Sequence, residues 1–410
     1  MDFDLESDFS IFEELLKKRP ELNVDALKKS LTDYYLPYAK KLIDLKTKKN
    51  LPEGVIVGVS AIQGAGKTTQ GEILEVLLKH FGHSTVSRSI DDHYLTHREL
   101  CELRTEDPRF IRRGVTHDIQ LAIRDLKDLQ VMEDETPILV SGYDKGAQHG
   151  DGDRFRWVNP QKDLVIKAEV KDKYLMVNKS EQHIKGIEIE SADYQGNNIF
   201  LPSNMGSDVP LVDHLLSEDL LKFLSDQTKL TITMEDDENV LISGNGTLTV
   251  PKKDLPNGWR LITKRPDFIF YDGWMLGARS VSDESVFDVN LPALETEESK
   301  TFAKHVNRKL LSYEPLWEML EFLNVLYVVN YEDSLKWRDQ AEETLRTKGE
   351  GMTHDEITQF VHYFWRSVHP AIHIKNLAHD EKNTSQVIII NDDHSVREIL
   401  PPGQAKQKYP

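Results

Sequence analysis

Residues 61–69 read Ala-Ile-Gln-Gly-Ala-Gly-Lys-Thr-Thr, a glycine-rich turn closed by a lysine and two threonines. In such a turn the glycines let backbone N–H groups converge on phosphate oxygens, and a helix opening behind it adds partial positive charge. Gln63, Gly64, Ala65, Gly66, Lys67, Thr68 and Thr69 therefore form a candidate cradle for a nucleoside triphosphate. Lys67 would reach the β- and γ-phosphates, and the Thr68 hydroxyl would sit on Mg²⁺. Ala61 stands where the pattern usually begins with glycine, so φ must be negative there.

Two acidic positions and a polar cluster supply further chemistry. Phosphoryl transfer to an alcohol needs a carboxylate near the attacking hydroxyl and others near Mg²⁺. Asp91 is the candidate base, with Asp92 as an alternative or a metal-side partner; the competing use of both is a helix N-cap. Arg113-Gly-Val-Thr-His117-Asp118 crowds a cation, an imidazole and a carboxylate around a glycine. Arg113 would hold a carboxylate in two-pronged fashion while His117 and Asp118 bond hydroxyls. Thr116 or Asp118 could instead cap the helix that follows. Asp272 ends an apolar run and reads as the Mg²⁺-side partner of the phosphate loop, or as a buried aspartate capping the next turn. Residues 142–154, dense in glycine and charge, read as a loop that closes on something, or as a solvated turn. The single cysteine, Cys101, reads as an ordinary helix residue ahead of a nucleophile. The 15 histidines show no metal-ligand spacing.

Ligands of a doubly wound sheet gather beyond the C-terminal ends of its parallel strands. The candidate residues follow apolar runs in that manner. Val55–Val59 precedes the phosphate loop, Ser84–Ile90 the acid pair, Pro137–Ser141 the loop at 142–154, and Asp267–Tyr271 precedes Asp272. Leu323–Val329 and Val387–Ile390 read as the fifth and sixth strands. Ile73, Leu74, Leu77 and Leu78 share one face of a helix over residues 69–80. Residues 10–48 read as two or three helices punctuated by Pro20 and Pro37, residues 302–311 and 352–369 as further helices, and 401–410 as a frayed tail. The chain is thus expected to be α/β, a P-loop NTPase-type parallel sheet flanked by helices.

Residues 160–262 carry short alternating or apolar runs, an Asn245-Gly246 hairpin signal and a helix near Leu211–Leu224. A structureless connection of that length is implausible, so an inserted small β-rich subdomain is expected. Its acidic stretch Glu235–Glu238 reads as a solvated turn, with a divalent-ion site as the alternative. The expected organisation is a helical segment at 1–50, core at 51–160, insertion at 161–262, the second part of the core at 263–400 and a flexible tail at 401–410.

The chain of 410 residues has room for two or three domains, and its net charge of −18 argues against a general affinity for nucleic acid. The acidic start Met1-Asp-Phe-Asp-Leu-Glu6, the lack of a run of about 18 apolar residues, and the lone cysteine disfavour secretion and membrane insertion. They fit a cytoplasmic protein with a small-molecule partner and leave its oligomeric state open.

The ordered set of motifs resembles the P-loop D-glycerate 3-kinases, relatives of the phosphoribulokinase, uridine kinase and pantothenate kinase group. The residues that carry the likeness are Ser60–Thr69, Ser89-Ile-Asp-Asp-His-Tyr-Leu95, Arg113–Asp118, Tyr143-Asp-Lys-Gly-Ala147 and Gly152-Asp-Arg154. It continues in Pro266–Gly277, Asn307–Tyr313, Trp337-Arg338-Asp339-Gln340 and Gly351-Met352-Thr353. Residues 25–160 and 263–395 are covered. His93 stands where that family usually has an aromatic such as Phe, and Asp272 where Glu commonly precedes Gly-Trp.

The resemblance implies transfer of the ATP γ-phosphate to the 3-hydroxyl of D-glycerate, with ATP and Mg²⁺ as cofactors. It implies Lys67 and Thr68 as phosphate and metal residues, and Asp91 as the base. Asp92, Tyr94, Arg113, His117, Asp118, Tyr143, Lys145 and Arg154 would line the substrate pocket. After the fifth strand it implies a lid whose arginines meet the transferring phosphate, Arg338 being the candidate; a surface helix with i,i+4 ion pairs is the alternative. Other readings are a kinase of another small metabolite (pentose, nucleoside or pantothenate-like) and a catalytically silent ATP-binding regulatory protein.

Overall fold

β-Branched residues at Val55, Ile56, Val57 and Val59 favour a strand, and the run is buried along its whole length, as in strands covered on both faces. The computed structural model describes residues 3–49, 53–132, 138–140, 142–158, 164–171, 174–177, 185–189, 199–202, 231–234, 239–243, 247–251, 260–262, 264–346 and 351–410. The chain divides into two compact units, Met1–Ile90 with Pro266–Pro410, and Asp91–Arg265.

The first unit is built on six strands: β1 (Val55–Ala61), β2 (Thr85–Ser89), β3 (Phe268–Gly273), β4 (Phe322–Val328), β5 (Gln386–Ile390) and β6 (Val396–Leu400). Their order is β6-β5-β4-β1-β3-β2; the first five run parallel and β6 pairs antiparallel with β5. This is a mostly parallel α/β sheet, as the sequence suggests. The helices of the chain include α1 (Lys67–His80), α2 (His97–Glu106), α3 (Ile119–Val131), α4 (Asp333–Arg346), α5 (His354–Ser367) and α6 (Pro402–Lys408).

The N-terminal residues pack on α1. Phe12, Leu15, Leu27 and Leu31 form one apolar cluster with Ile73 and Leu77. Pro37 does not interrupt the helical run as expected. Leu31–Tyr35 winds as a π-turn in which the Leu36 N–H reaches Leu31 O, five residues back. The wider turn relieves the ring and lost donor that proline brings to a regular helix. A buried polar set fixes α1 from below: Asn324 Nδ2 donates to Gln70 Oε1 at 3.1 Å and to Tyr34 Oη at 3.3 Å, and Gln70 also meets Tyr34. Burial pushes the Tyr34 phenol well above its ordinary value, so it stays neutral.

Three further expectations are corrected. Pro137–Ser141 is not a strand of the main sheet: Ile138–Val140, three residues at the lower limit of strand length, pairs antiparallel with Arg260–Ile262. Val396–Leu400 adds the edge strand β6 beyond the expected sixth strand. Residues 401–410 are not a frayed tail, because Pro402 opens α6 as its first residue, Ala405 is fully buried, and Lys408 pairs with Glu398 of β6 at 2.6 Å.

In the second unit, α2 carries a Thr96–Glu99 capping box and α3 is capped by Asp118. Strands occur at Tyr143–Asp144, Asp153–Val158 and Ile199–Pro202; at Leu164–Lys171, Tyr174–Val177 and Lys185–Ile189; and at Thr231–Met234, Asn239–Ser243 and Thr247–Pro251. The expected Leu211–Leu224 helix, the Asn245-Gly246 turn and the acidic stretch Glu235–Glu238 lie outside the described residues. Among the described residues no helix is long and apolar enough to cross a membrane.

Candidate active site

The phosphate loop sits between the buried end of β1 and the first residue of α1. Its shape depends on two glycines in the left-handed region, Gly64 at φ 82° and Gly66 at φ 87°. Ala61 ends β1 without positive φ, so alanine fits there. A Cβ on Gly64 would lie 2.7 Å from Trp337 Cβ, so α4 closes against the loop at that point. Trp337 is buried, donates from Nε1 to Asp392 O at 2.8 Å and packs on the His394 ring. Its contact with Gly64 links positions 273 residues apart in sequence, beyond the reach of local pattern.

Lys67 Nζ lies 2.9 Å from Ala61 O and 3.2 Å from Ile62 O, folded over the loop that it follows. The first turn of a helix leaves N–H groups without intrahelical partners, and α1 presents Lys67, Thr68 and Thr69 there. Thr68 is exposed. Gln63 Nε2 is buried without a hydrogen-bond partner. Asp272 is half-buried near the end of β3, in register with Val59 of β1 and Ser89 of β2. Among the described residues no group of three or more His, Cys, Asp or Glu side chains could hold a metal. A hydroxyl and a carboxylate are nonetheless the hard oxygen donors that Mg²⁺ takes when substrate phosphates complete its shell.

Arg338 lies on α4, where it pairs with Glu342 one turn on and sits 5.2 Å from the Phe360 ring centre. Glu342 is buried and accepts the Met352 N–H at 3.2 Å. Arg338 therefore has the i,i+4 pairing that the sequence left as an alternative, and Glu342 is a partner that the sequence did not single out.

In the second unit, the structure gathers most of the expected substrate-pocket residues. Lys145 Nζ donates to Asp91 Oδ2 at 2.7 Å, joining segments 54 residues apart. Tyr94 stacks on His117 with ring centres 4.3 Å apart and meets the Tyr143 ring edge-on at 5.4 Å. The Arg113 guanidinium lies 5.4 Å from the Tyr143 ring centre and 6.0 Å from that of Tyr94, and it donates to Lys145 O at 3.3 Å. Burial pushes the Tyr143 phenol up to about 12 against the opposing pull of Arg113, so it remains a neutral donor. Asp118 accepts the Leu121 N–H at 3.0 Å as the N-cap of α3. Asp92 is half-buried beside Asp91. Arg154 pairs with Tyr143 through the backbone, and its side chain lies outside the described residues.

The loop that carries Lys145 is anchored on α2. Asp151 takes two bonds from Arg104, at 2.6 and 2.8 Å, and lies 3.2 Å from His97; Asp153 accepts the His97 N–H at 2.9 Å. The Arg104 bonds hold the Asp151 carboxyl below its ordinary value. Gly152, at φ 83°, is where a Cβ would collide with Arg113 Nη1 and the Tyr143 ring.

A glycine-rich loop between a buried central strand and a helix, in a sheet whose first five strands are parallel, defines the P-loop α/β class. Within that class the chain has the fold of the solved D-glycerate 3-kinase of Cryptococcus neoformans, with a TM-score of 0.56 at 17% identity over 90% of this chain and 98% of that one. It is 21% identical over 365 residues to the uncharacterized kinase mug58 of Schizosaccharomyces pombe, covering 87% of this chain and 96% of that protein. It is 34% identical over 106 residues to the chloroplastic D-glycerate 3-kinase of Arabidopsis thaliana, covering 24% of this chain and 23% of that protein. No family model matches the chain.

Proposed function

We propose that this protein is an ATP-dependent kinase of a small hydroxy acid, with the 3-hydroxyl of D-glycerate as the acceptor. The observation that carries the acceptor class is the convergence of Asp91, Lys145, Arg113, His117, Tyr94 and Tyr143 within one unit. A compact acceptor bearing one carboxylate and neighbouring hydroxyls needs cations for the first and uncharged donors for the second. Arg113 and Lys145 provide the cations, and the His117 ring and Tyr143 phenol bond the hydroxyls. The kinase names of the relatives support the same reaction type.

Asp91 accepts the proton of the acceptor hydroxyl as its oxygen bonds to the γ-phosphorus, and the bond from that phosphorus to the bridging oxygen of ADP breaks. Lys67 and the N-terminal amides of α1 hold the phosphates. Thr68 and Asp272 would hold Mg²⁺, which when bound neutralises charge on the phosphate oxygens. The proposed partner is this small molecule, without nucleic acid or membrane.

The test is coupled ADP release with Mg²⁺-ATP across D-glycerate, L-glycerate, pentoses, nucleosides and pantothenate. Turnover confined to D-glycerate is expected. A signal elsewhere would keep the kinase and replace its acceptor, and nucleotide binding without any acceptor-dependent release would indicate a regulatory protein. Gly152→Ala displaces Arg113 and Tyr143, so kcat/KM for the acceptor is expected to fall about tenfold or more while the KM for ATP stays put. Equal changes for both substrates would remove Arg113 and Tyr143 from acceptor binding.

A further inference from the structure

Asp125 lies on α3, and its Oδ2 is 3.1 Å from His93 Nε2, with both side chains almost wholly buried (2% and 0% exposed). His93 is the residue between Asp92 and Tyr94. Its carbonyl accepts the Asp118 N–H at 2.8 Å, the next residue forms the antiparallel bridge Tyr94–His117, and Leu95 N–H donates to Thr116 O at 2.7 Å. Main-chain bonds thus lace residues 93–95 to 116–118, at the entrance of the helix that Asp118 caps. Asp125 stands seven residues after Asp118, two helical turns along the same side. Its bond to the imidazole ties the strip to the body of α3 as well as to its entrance. A turn laced by main-chain bonds along one line can pivot about that line; the off-axis Asp125 bond opposes the pivot, together with the Lys145–Asp91 bond and the stacking of Tyr94 on His117. Asp91 and Asp92 directly precede this doubly anchored residue.

We propose that Asp125 is a positioning residue that acts through His93 to fix the direction in which Asp91 and Asp92 meet the acceptor. This rests on the kinase reading given above. Asp125 touches no substrate. Its acceptor oxygen holds the imidazole, the imidazole holds the backbone of the acid turn, and the proton-accepting carboxylate inherits that orientation. A buried polar pair is strongly destabilised when one member is removed, and it is directional in a way that an apolar contact is not.

Steady-state kinetics with Mg²⁺-ATP and D-glycerate on Asp125→Asn and Asp125→Leu test the role. Asparagine keeps an oxygen that can accept from His93 Nε2, so Asp125→Asn is expected to retain acceptor kcat/KM within about threefold. Asp125→Leu is expected to lose about 10–100-fold in that quantity with the KM for ATP unchanged. A folded Asp125→Leu protein with parental acceptor kinetics, or one in which both substrates are affected alike, overturns the proposal. If Asp125→Leu does not fold, the double variant His93→Phe/Asp125→Leu replaces the pair with apolar side chains. Full acceptor activity in that folded protein would equally overturn it.

Amide hydrogen exchange supplies a readout that does not depend on turnover. Faster exchange at residues 91–95 and 116–118 in Asp125→Leu, with α1 unaffected, is expected. Unchanged exchange there would sink the anchoring itself. A parent protein that exchanges as expected but shows no acceptor-dependent ADP release would instead sink the kinase reading.

Discussion

Lys67→Ala is expected to lower kcat by about 10³-fold, the scale on which a positioned charge donor acts in a transition state. Its effect on stability is expected to be small by comparison. In the structure the ammonium donates to the carbonyls of Ala61 and Ile62, and the loss of two such bonds costs about 1–3 kcal/mol. The turn itself is set by Gly64 and Gly66 at positive φ and by Trp337 against Gly64, none of which the substitution alters. The measurement is ADP release beside a thermal melt of the same preparation. A folded variant with turnover within about tenfold of the parent would take the loop out of the reaction.

The second large effect concerns acid. His369 and His373 are buried between residues 280–310 and the end of α5, and burial lowers their pKa values to about 4 and about 3. His369 Nε2 donates to Pro292 O at 3.0 Å, and Nδ1 accepts the Ala371 N–H at 3.2 Å, a pattern that only the neutral ring satisfies. His373 Nε2 faces Asn307 Oδ1 at 3.3 Å, which also accepts the Val281 N–H, and Nδ1 is buried without a partner that could take a proton. The unfolded chain binds protons at these residues near the ordinary value of 6.5, whereas the folded chain does not. Stability is therefore whole above that pH and falls as pH drops, until the folded values are reached.

For two such groups the loss between pH 7.5 and pH 5 comes to about 4 kcal/mol, a large share of a typical folding free energy. The depressed carboxyls of Asp151 and Asp267 act in a separate window, because their stabilisation is lost only as pH falls below about 4. Denaturant melts across this range read the slope directly. His373→Gln keeps a donor for Asn307 and removes the titration, so it is expected to reduce the loss between pH 7.5 and pH 5 by about 2 kcal/mol. A parental slope in that variant would move the acid sensitivity elsewhere.

The phosphate loop and its supporting strands were readable from sequence because each depends on residues that are close together in the chain. An apolar run, glycines and a lysine before a helix suffice to place a strand over Val55–Val59 and a helix over residues 69–80, which the structure extends to Val55–Ala61 and Lys67–His80. The gathering of Tyr94, Arg113, His117, Tyr143 and Lys145 depended on ordered motifs from several segments. Contacts made at long range left no local trace: Trp337 on Gly64 and Asp125 under His93. The C-terminal errors have a different cause. Val396–Leu400 and Pro402–Lys408 are individually weak signals, and they gain stability from pairing with β5 and from the buried Ala405.

The second unit is one unbroken stretch, entered after Ile90 and left before Pro266. Two peptide links connect everything proposed to recognise the acceptor to everything proposed to hold ATP. In hereditary terms, the choice of what is phosphorylated and the handling of the phosphate donor are written in separate passages of the gene. A lineage can revise the first by substitution, insertion or exchange within residues 91–265 while it inherits the strands of the main sheet unaltered.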